Sequence, residues 1–502
     1  MKLRRIALPL GPVLAGLVYL LCRTIVGMDH APSAAAAVTI LCAAWWCTEA
    51  IPIPATALVP FALFPFLDVL DHAQLARAYG DQFILLFLGG FMLSKAAEKS
   101  GTHLRVARGM LRLVGTSSSP RIVIGFMLAT AFCSMWISNT ATALIMLPAA
   151  IAVIERKPEA RKFAVALLLG IAYGASIGGV TTLIGTPPNG VFASQYMKNV
   201  GVDVAFFDWL KVGIPVFVLM FTVAAFYLTR GIEPYGHFEM RERTPWTPAQ
   251  KRVLAVIALV ALGWITRSAP FGGWASFYAD PSIDKKPLVT DATVALLGVV
   301  ALFLIPSGTR NACGDRERLL DWPTAVNIPW GILILFGGGL AIASSFNETG
   351  LDQQIGLALK SVTDLPPVLV VLILCLGVTF LTEVTSNTAT ATLLMPILAA
   401  MAIAAGLDPA TYMIPAALSC SFAFMLPVAT PPNAIVFGSE RITIKDMVRK
   451  GLWLNLIGAV IITAVCTVVV DRKTGIDGNR PEVSVGAMES EDAPSSTNTD
   501  GD

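Results

Sequence analysis

Ser138-Asn139-Thr140-Ala141-Thr142 and Ser386-Asn387-Thr388-Ala389-Thr390 repeat one polar pattern inside two long apolar runs. Each is followed, a few dozen residues on, by a second echo: Gly185-Thr186-Pro187-Pro188-Asn189 and Ala429-Thr430-Pro431-Pro432-Asn433. Hydroxyl, amide and carbonyl oxygens at helix breaks suit ion coordination rather than bond-making. A helix that starts at Ser-Asn-Thr presents unpaired N–H groups and a partial positive charge, which attract an anion. A helix that ends there presents unpaired carbonyls, which attract a cation. Asn139 and Asn387 can both donate and accept, so one side chain can link an anion to a neighbouring Na⁺. Proline lacks an N–H and clashes with the preceding turn. The two Pro-Pro pairs therefore predict unwinding near Thr186 and Thr430, with the Gly185 and Ala429 carbonyls freed for a cation.

A lone Ser-Asn-Thr in a membrane helix would be read as glue between helices. Polar breaks duplicated at corresponding places in two apolar halves point instead to a transporter's binding site. Charge sharpens this. Segments 122–154, 164–197 and 411–439 contain no Lys, Arg, Asp or Glu, and 366–405 contains only Glu383. An anion held there lacks a side-chain cation, and an unpaired charge away from water is costly. Co-bound cations must offset it.

The elements that position these motifs belong to a membrane protein. Of 502 residues, 55% are apolar and 14% charged, against roughly a quarter charged in soluble domains. No basic stripe with interleaved aromatics suggests nucleic acid. A spanning helix needs about 20 apolar residues. Spans are predicted at 6–27, 33–50, 53–68 (short), 82–98, 163–198 (broken), 210–230, 251–269, 290–306, 329–346, 411–438 (broken) and 449–470. The runs 120–154 and 364–404 are too long for one pass, and their Ser-Asn-Thr tips lack the character of an aqueous loop. They read as re-entrant hairpins, since irregular backbone at depth is tolerated where it lines a cavity.

Ile84-Leu85-Leu86-Phe87-Leu88-Gly89-Gly90 also repeats as Ile332-Leu333-Ile334-Leu335-Phe336-Gly337-Gly338 at the same offset as the Ser-Asn-Thr tips. The chain therefore divides into a first transmembrane helix (1–32), repeat 1 (33–230), a polar linker (231–250), repeat 2 (251–470) and an acidic tail (471–502) whose composition predicts disorder. Five spans per repeat invert the second relative to the first, making an all-α polytopic fold of about 11 spans. With the N-terminus in the cytoplasm, most of the 36 basic residues face inward, as the positive-inside rule requires. The tail then lies outside the cell or inner membrane. The apolar N-terminal stretch reads as a retained helix rather than a signal peptide.

Other features are assigned structural roles. Seven of the eight cysteines fall in apolar segments, where free cysteine behaves as a small hydrophobe. Gly89-Gly90 and Gly337-Gly338-Gly339 read as close-packing positions, and Trp45-Trp46 as a packing pair. Glu49 and Glu383 are open between a structural and a functional role. The histidines lie in or near loops, which argues against a metal site or proton relay.

Trp45-Trp46-Cys47-Thr48-Glu49-Ala50-Ile51-Pro52, both Ser-Asn-Thr tips and both Thr-Pro-Pro-Asn breaks together resemble the divalent anion:sodium symporter family, which carries succinate, citrate and sulfate. The resemblance covers about 35–470. It implies a homodimer in the lipid bilayer, with a scaffold domain and a transport domain that moves like an elevator. By position it implies a first Na⁺ site at Ser134, Ser138, Asn139 and the Gly185 carbonyl. A second would use Thr382, Asn387 and carbonyls near Thr385 and Ala429. Substrate carboxylates are implied between Ser138-Asn139-Thr140 and Ser386-Asn387-Thr388, near Thr186-Pro187 and Thr430-Pro431.

The expected function is Na⁺-coupled uptake of a small dianion. Two facing tips suit the two carboxylates of a C4-dicarboxylate (succinate, malate, fumarate) better than a compact tetrahedral ion. Sulfate or citrate symport and Na⁺-independent exchange are the alternatives. An anion channel is disfavoured because no basic ring is present. An intramembrane hydrolase is disfavoured because no paired-Asp, His-Glu-x-x-His or Ser/His constellation is present, so no enzyme activity is expected.

Overall fold

The computed structural model describes residues 2–233, 245–267, 273–278, 288–310, 314–359 and 365–470. The acidic tail and most of the linker lie outside the described residues. The linker's last residues belong to the next helix, because Thr247 caps Pro248–Thr266 with a reciprocal Thr247–Gln250 capping box and proline is favoured in the first helical turn.

The described residues are helical apart from one antiparallel ribbon, Pro306–Arg310 with Arg316–Arg318, which the sequence pattern does not announce. Among the described residues eight helices are long and apolar enough to cross a membrane. They include Ile6–Val26, His30–Thr48, Arg161–Gly179, Phe206–Thr229, Pro248–Thr266, Trp330–Thr349 and Ile444–Val469, all close to predicted spans. The eighth is Asn387–Ala404, the second leg of hairpin 2. The remaining predicted spans fall short for visible reasons. Ile53–Leu63 is broken into two pieces, Asp291–Leu304 has 14 residues, and Gln82–Ser100 carries Lys95, Glu98 and Lys99. A further amphipathic helix, Thr102–Val114, holds Arg105, Arg108 and Arg112.

Hairpin 1 consists of Ser119–Ser134 and Asn139–Ile154, and hairpin 2 of Pro367–Thr382 and Asn387–Ala404. At 1.5 Å per residue a 16-residue leg extends about 24 Å, less than the roughly 30 Å hydrocarbon core. Broken helix 1 runs Arg161–Gly179 then Pro187–Val200, and broken helix 2 runs Ala410–Cys420 then Pro431–Phe437. Arg161–Gly179 is the most enclosed span, 94% of its apolar window being buried.

The two repeats interlock. The second leg of hairpin 1 packs on Pro431–Phe437, and the second leg of hairpin 2 packs on Pro187–Val200. The duplicated glycines permit other close approaches. A Cβ on Gly89 would stand 2.6 Å from the Ala295 Cβ, one on Gly337 2.2 Å from the Tyr79 ring, and one on Gly339 2.0 Å from Thr392 Cγ2. The packing role expected for these glycines holds there, whereas Gly90 instead lines the central cavity.

Candidate functional site

In each hairpin the first leg ends, four residues turn, and the second leg begins at the asparagine. Ser138 and Ser386 are the N-caps of Asn139–Ile154 and Asn387–Ala404. Serine suits that position because its side-chain oxygen can accept from an otherwise orphaned N–H. Ser138 accepts from the Ala141 N–H at 3.3 Å. The first leg of hairpin 1 stops at Ser134, slightly before the predicted end near Ile137.

The tips repeat their internal chemistry as well as their sequence. Ser134 Oγ donates to Asn139 Oδ1 at 2.5 Å, and Thr382 Oγ1 donates to Asn387 Oδ1 at 2.7 Å. The spacing within the chain is the same in both halves. Each tip also meets the break of its own half. Thr182 Oγ1 donates to the Met135 carbonyl at 2.6 Å, and Thr382 Oγ1 reaches the Cys420 carbonyl at 3.0 Å. A Cβ on Gly179 would fall 2.6 Å from Asn139 Oδ1, so only glycine lets the helix end approach the tip this closely.

The breaks differ from the sequence expectation in one respect. The Pro-Pro pairs do not lie in the unwound stretches; they open the second half-helices, with Thr186 and Thr430 as extended N-caps. Proline is tolerated there because its missing N–H would be orphaned anyway. The irregular stretches lie upstream, at 180–186 and 421–430. Asparagine closes both. Asn189 Nδ2 donates to the Thr182 carbonyl at 2.8 Å, and Asn433 Nδ2 donates to the Ala423 and Leu426 carbonyls, both at 3.0 Å. The Gly185 and Ala429 carbonyls accept no hydrogen bond among the described residues. Across the two repeats, the Thr186 and Ser421 hydroxyls lie 3.2 Å apart.

Glu383 is structural in this arrangement. It is 3% exposed and accepts from the Met425 and Leu426 N–H groups at 2.8 and 2.9 Å, and from Asn455 Nδ2 at 2.7 Å. It fastens hairpin 2 to the irregular stretch of broken helix 2 and to the last helix.

Tips and breaks converge on one cavity of about 680 Å³. Its walls contain Ser138, Asn139, Thr140, Gly185, Thr186 and Pro187 from repeat 1. From repeat 2 they contain Thr385, Ser386, Asn387, Thr388, Ala429, Thr430 and Pro431. Two predicted ligands, Ser134 and Thr382, are fully buried behind the wall and touch it through their asparagines. The sequence reading missed the opposite wall, made by Trp46-Cys47-Thr48-Glu49, Phe87, Trp136 and Gly331. Trp46 packs as expected, its indole N–H donating to the Ile53 carbonyl at 3.2 Å, yet it also faces the cavity. Glu49 sits there with φ +46°, a left-handed conformation that costs a non-glycine residue strain.

Among the described residues no Lys, Arg or His lines this cavity, and Glu49, which has an interaction of its own, is the one charged side chain that does. Two cations elsewhere, Arg267 buried and Lys198 half-buried, are committed to other partners. Arg267 pairs with Asp291 at 2.5 Å and Asp203 at 2.7 Å, and Lys198 donates to the Leu340 carbonyl and to Ser344. Among the described residues no group of three or more His, Cys, Asp or Glu could hold a metal ion. The oxygens at the tips are neutral hydroxyl, amide and peptide carbonyl, a hard donor set that suits cations such as Na⁺.

A family profile described as "Sodium:sulfate symporter transmembrane region" matches residues 5–470. The chain is 42% identical over 466 residues to the sodium-dependent dicarboxylate transporter SdcS of Staphylococcus saprophyticus, covering 89% of this chain and 87% of that protein. It is 40% identical over the same length, with the same coverage, to SdcS of Staphylococcus aureus. Two solved transporters share the fold at 14% identity: Alcanivorax borkumensis YdaH (TM-score 0.58, 88% of this chain and 99% of that one) and Neisseria gonorrhoeae MtrF (TM-score 0.56, 90% and 97%). The chain is an integral membrane protein and belongs to the divalent anion:sodium symporter family.

Proposed function

We propose that the protein is a secondary active symporter that couples Na⁺ entry to uptake of a small dianion, a C4-dicarboxylate such as succinate, malate or fumarate. The observation that carries this reading is the charge of the cavity: two N-capped helix starts face a space whose one charged lining residue, among the described residues, is a carboxylate. The helix starts attract carboxylates, but only added cations can neutralise two of them. The relatives' names, sodium-dependent dicarboxylate transporters, agree.

The tip geometry suggests how an ion enters. Asn387 Oδ1 and the Cys420 carbonyl are both within reach of the Thr382 hydroxyl, which has one hydrogen to give. Turning that hydrogen to Cys420 frees Asn387 Oδ1 and a Thr382 lone pair for Na⁺, with the Ala429 carbonyl as a further ligand. Repeat 1 offers Ser134, Ser138, Asn139 and the Gly185 carbonyl in the matching places. Each asparagine keeps its amide N–H groups for a substrate carboxylate, and Thr140, Thr186, Thr388 and Thr430 complete the cradle.

The reading extends to an inverted repeat, re-entrant hairpins, a homodimer and an elevator movement of hairpins and broken helices against a scaffold, with the N-terminus cytoplasmic and the C-terminus outside. Three hairpin legs of 16 residues support the re-entrant hairpins, and the matched tips and breaks of the two halves support the repeat.

In proteoliposomes an inward Na⁺ gradient should drive accumulation of labelled succinate. Replacing Na⁺ with choline should abolish it; equal uptake in choline would mark a Na⁺-independent exchanger instead. Ser134→Ala and Thr382→Val each remove one neutral oxygen ligand. At about 1 kcal/mol per hydrogen-bonding group, the Na⁺ concentration for half-maximal uptake should rise roughly fivefold while the maximal rate is retained.

A further inference from the structure

A second cavity, about 500 Å³, lies away from the transport site where three helix ends meet. Arg161 and Lys162 begin one helix, Arg230 follows the end of Phe206–Thr229, and Arg449 and Lys450 lie near the start of Ile444–Val470. All five line the cavity. The acids beside them are engaged. Asp446 pairs with Arg161 at 3.1 Å and accepts from the Thr443 N–H and hydroxyl. Glu233 accepts from the Lys162 and Phe163 N–H groups at 3.3 and 2.9 Å, capping that helix. Among the described residues the sum is an excess of positive charge around a volume in the range of small-ligand sites. We propose that this cavity binds the phosphate of an anionic phospholipid headgroup at the membrane–water boundary.

Two observations favour a lipid over a free anion. Apolar aromatics flank the basic residues and point outward: Phe226 is 66% exposed and Trp453 56% exposed. Exposed aromatics beside cations are expected where a helix leaves the hydrocarbon for the headgroup layer, and a basic pocket between transmembrane helices there suits a lipid head group. The basic groups are also held rather than free to wander. The Lys450 ammonium stands 4.4 Å from the centre of the Tyr227 ring, and Tyr227 donates to the Arg449 carbonyl at 3.4 Å. The Arg230 guanidinium lies 6.0 Å from the Phe226 ring centre. The chain's own acidic tail is a poor occupant. It leaves the other end of Ile444–Val470, a 27-residue helix about 40 Å long.

Native mass spectrometry of the full chain, released from detergent carrying equal phosphatidylglycerol and phosphatidylcholine, tests this without any variant. Phosphatidylglycerol should remain bound at collision energies that strip phosphatidylcholine; equal retention of the two would overturn the proposal. Arg230→Gln, and Arg449→Gln with Lys450→Gln, should weaken that retention about fivefold per neutralised cation. Arg108→Gln with Arg121→Gln, outside the cavity, should leave it unchanged. An equal loss in that control would mean diffuse surface attraction and would contradict a site. Millimolar inorganic phosphate should fail to displace the lipid; full displacement would make this a free-phosphate site and overturn the lipid assignment.

Discussion

Asn139→Ala and Asn387→Ala should each reduce Na⁺-driven succinate uptake by on the order of 10²-fold or more while leaving the protein folded. Each truncation removes an amide oxygen that accepts from a buried hydroxyl, Ser134 or Thr382, and an amide nitrogen of a residue that lines the cavity. Groups that hydrogen-bond charged partners contribute about 1.5–3 kcal/mol each. Losing one contact to Na⁺ and one to a carboxylate therefore removes roughly 3–6 kcal/mol from the loaded state. The empty state loses a neutral hydrogen bond, and in Asn139→Ala the buried Ser134 hydroxyl is left without its acceptor at about 1–3 kcal/mol. Size-exclusion behaviour should therefore be unchanged, and thermal unfolding without ligand should fall by a few degrees at most. The matched geometry of the halves predicts similar losses for the two variants. Full transport by either would remove these asparagines from the site.

Glu383→Ala should instead act on stability. Its carboxylate accepts three hydrogen bonds, two from the backbone of the irregular stretch before Pro427 and one from Asn455. Truncation leaves one buried and two partly buried donors without an acceptor, at about 1–3 kcal/mol each. A loss on the order of 3–9 kcal/mol is therefore expected, nearer the lower end because two of the donors are partly exposed. Thermal unfolding in detergent should shift down by many degrees. Bound Na⁺ and succinate should recover part of that shift, because ligands that bind only the folded state stabilise it by mass action. An unchanged unfolding temperature would show that the network contributes little.

Much of the fold was legible because the pattern is duplicated. Matching Ser138–Thr142 to Ser386–Thr390, and Thr186–Asn189 to Thr430–Asn433, located both tips and both breaks before any coordinates. Every residue assigned to substrate lines the cavity. The remainder depended on long-range packing that local pattern does not encode. Nothing around Trp46–Glu49 says that this helix end faces the tips of two distant hairpins. Glu383 looked ambiguous because its partners, Met425, Leu426 and Asn455, are distant in sequence. The breaks fall at Thr186 and Thr430 as expected, with the proline pairs at their downstream ends for a local reason. Pro-Pro reads equally well as a break or as the first turn of a new helix, and the Asn189 and Asn433 side chains show it is the latter. The ribbon strands Pro306–Arg310 and Arg316–Arg318 carry no alternating apolar pattern to announce them.

The central claim is that cations entering with the substrate supply the positive charge that the cavity walls lack. Calorimetric titration of the purified protein with succinate, across a Na⁺ series at constant ionic strength made up with choline, tests it most directly. At an effective dielectric of about 20, a unit charge about 4 Å away contributes roughly 4 kcal/mol. Losing even one Na⁺ should therefore weaken succinate binding on the order of 10³-fold. The account predicts no measurable heat in choline and an affinity that climbs steeply with Na⁺. Succinate binding of undiminished affinity in choline would contradict it.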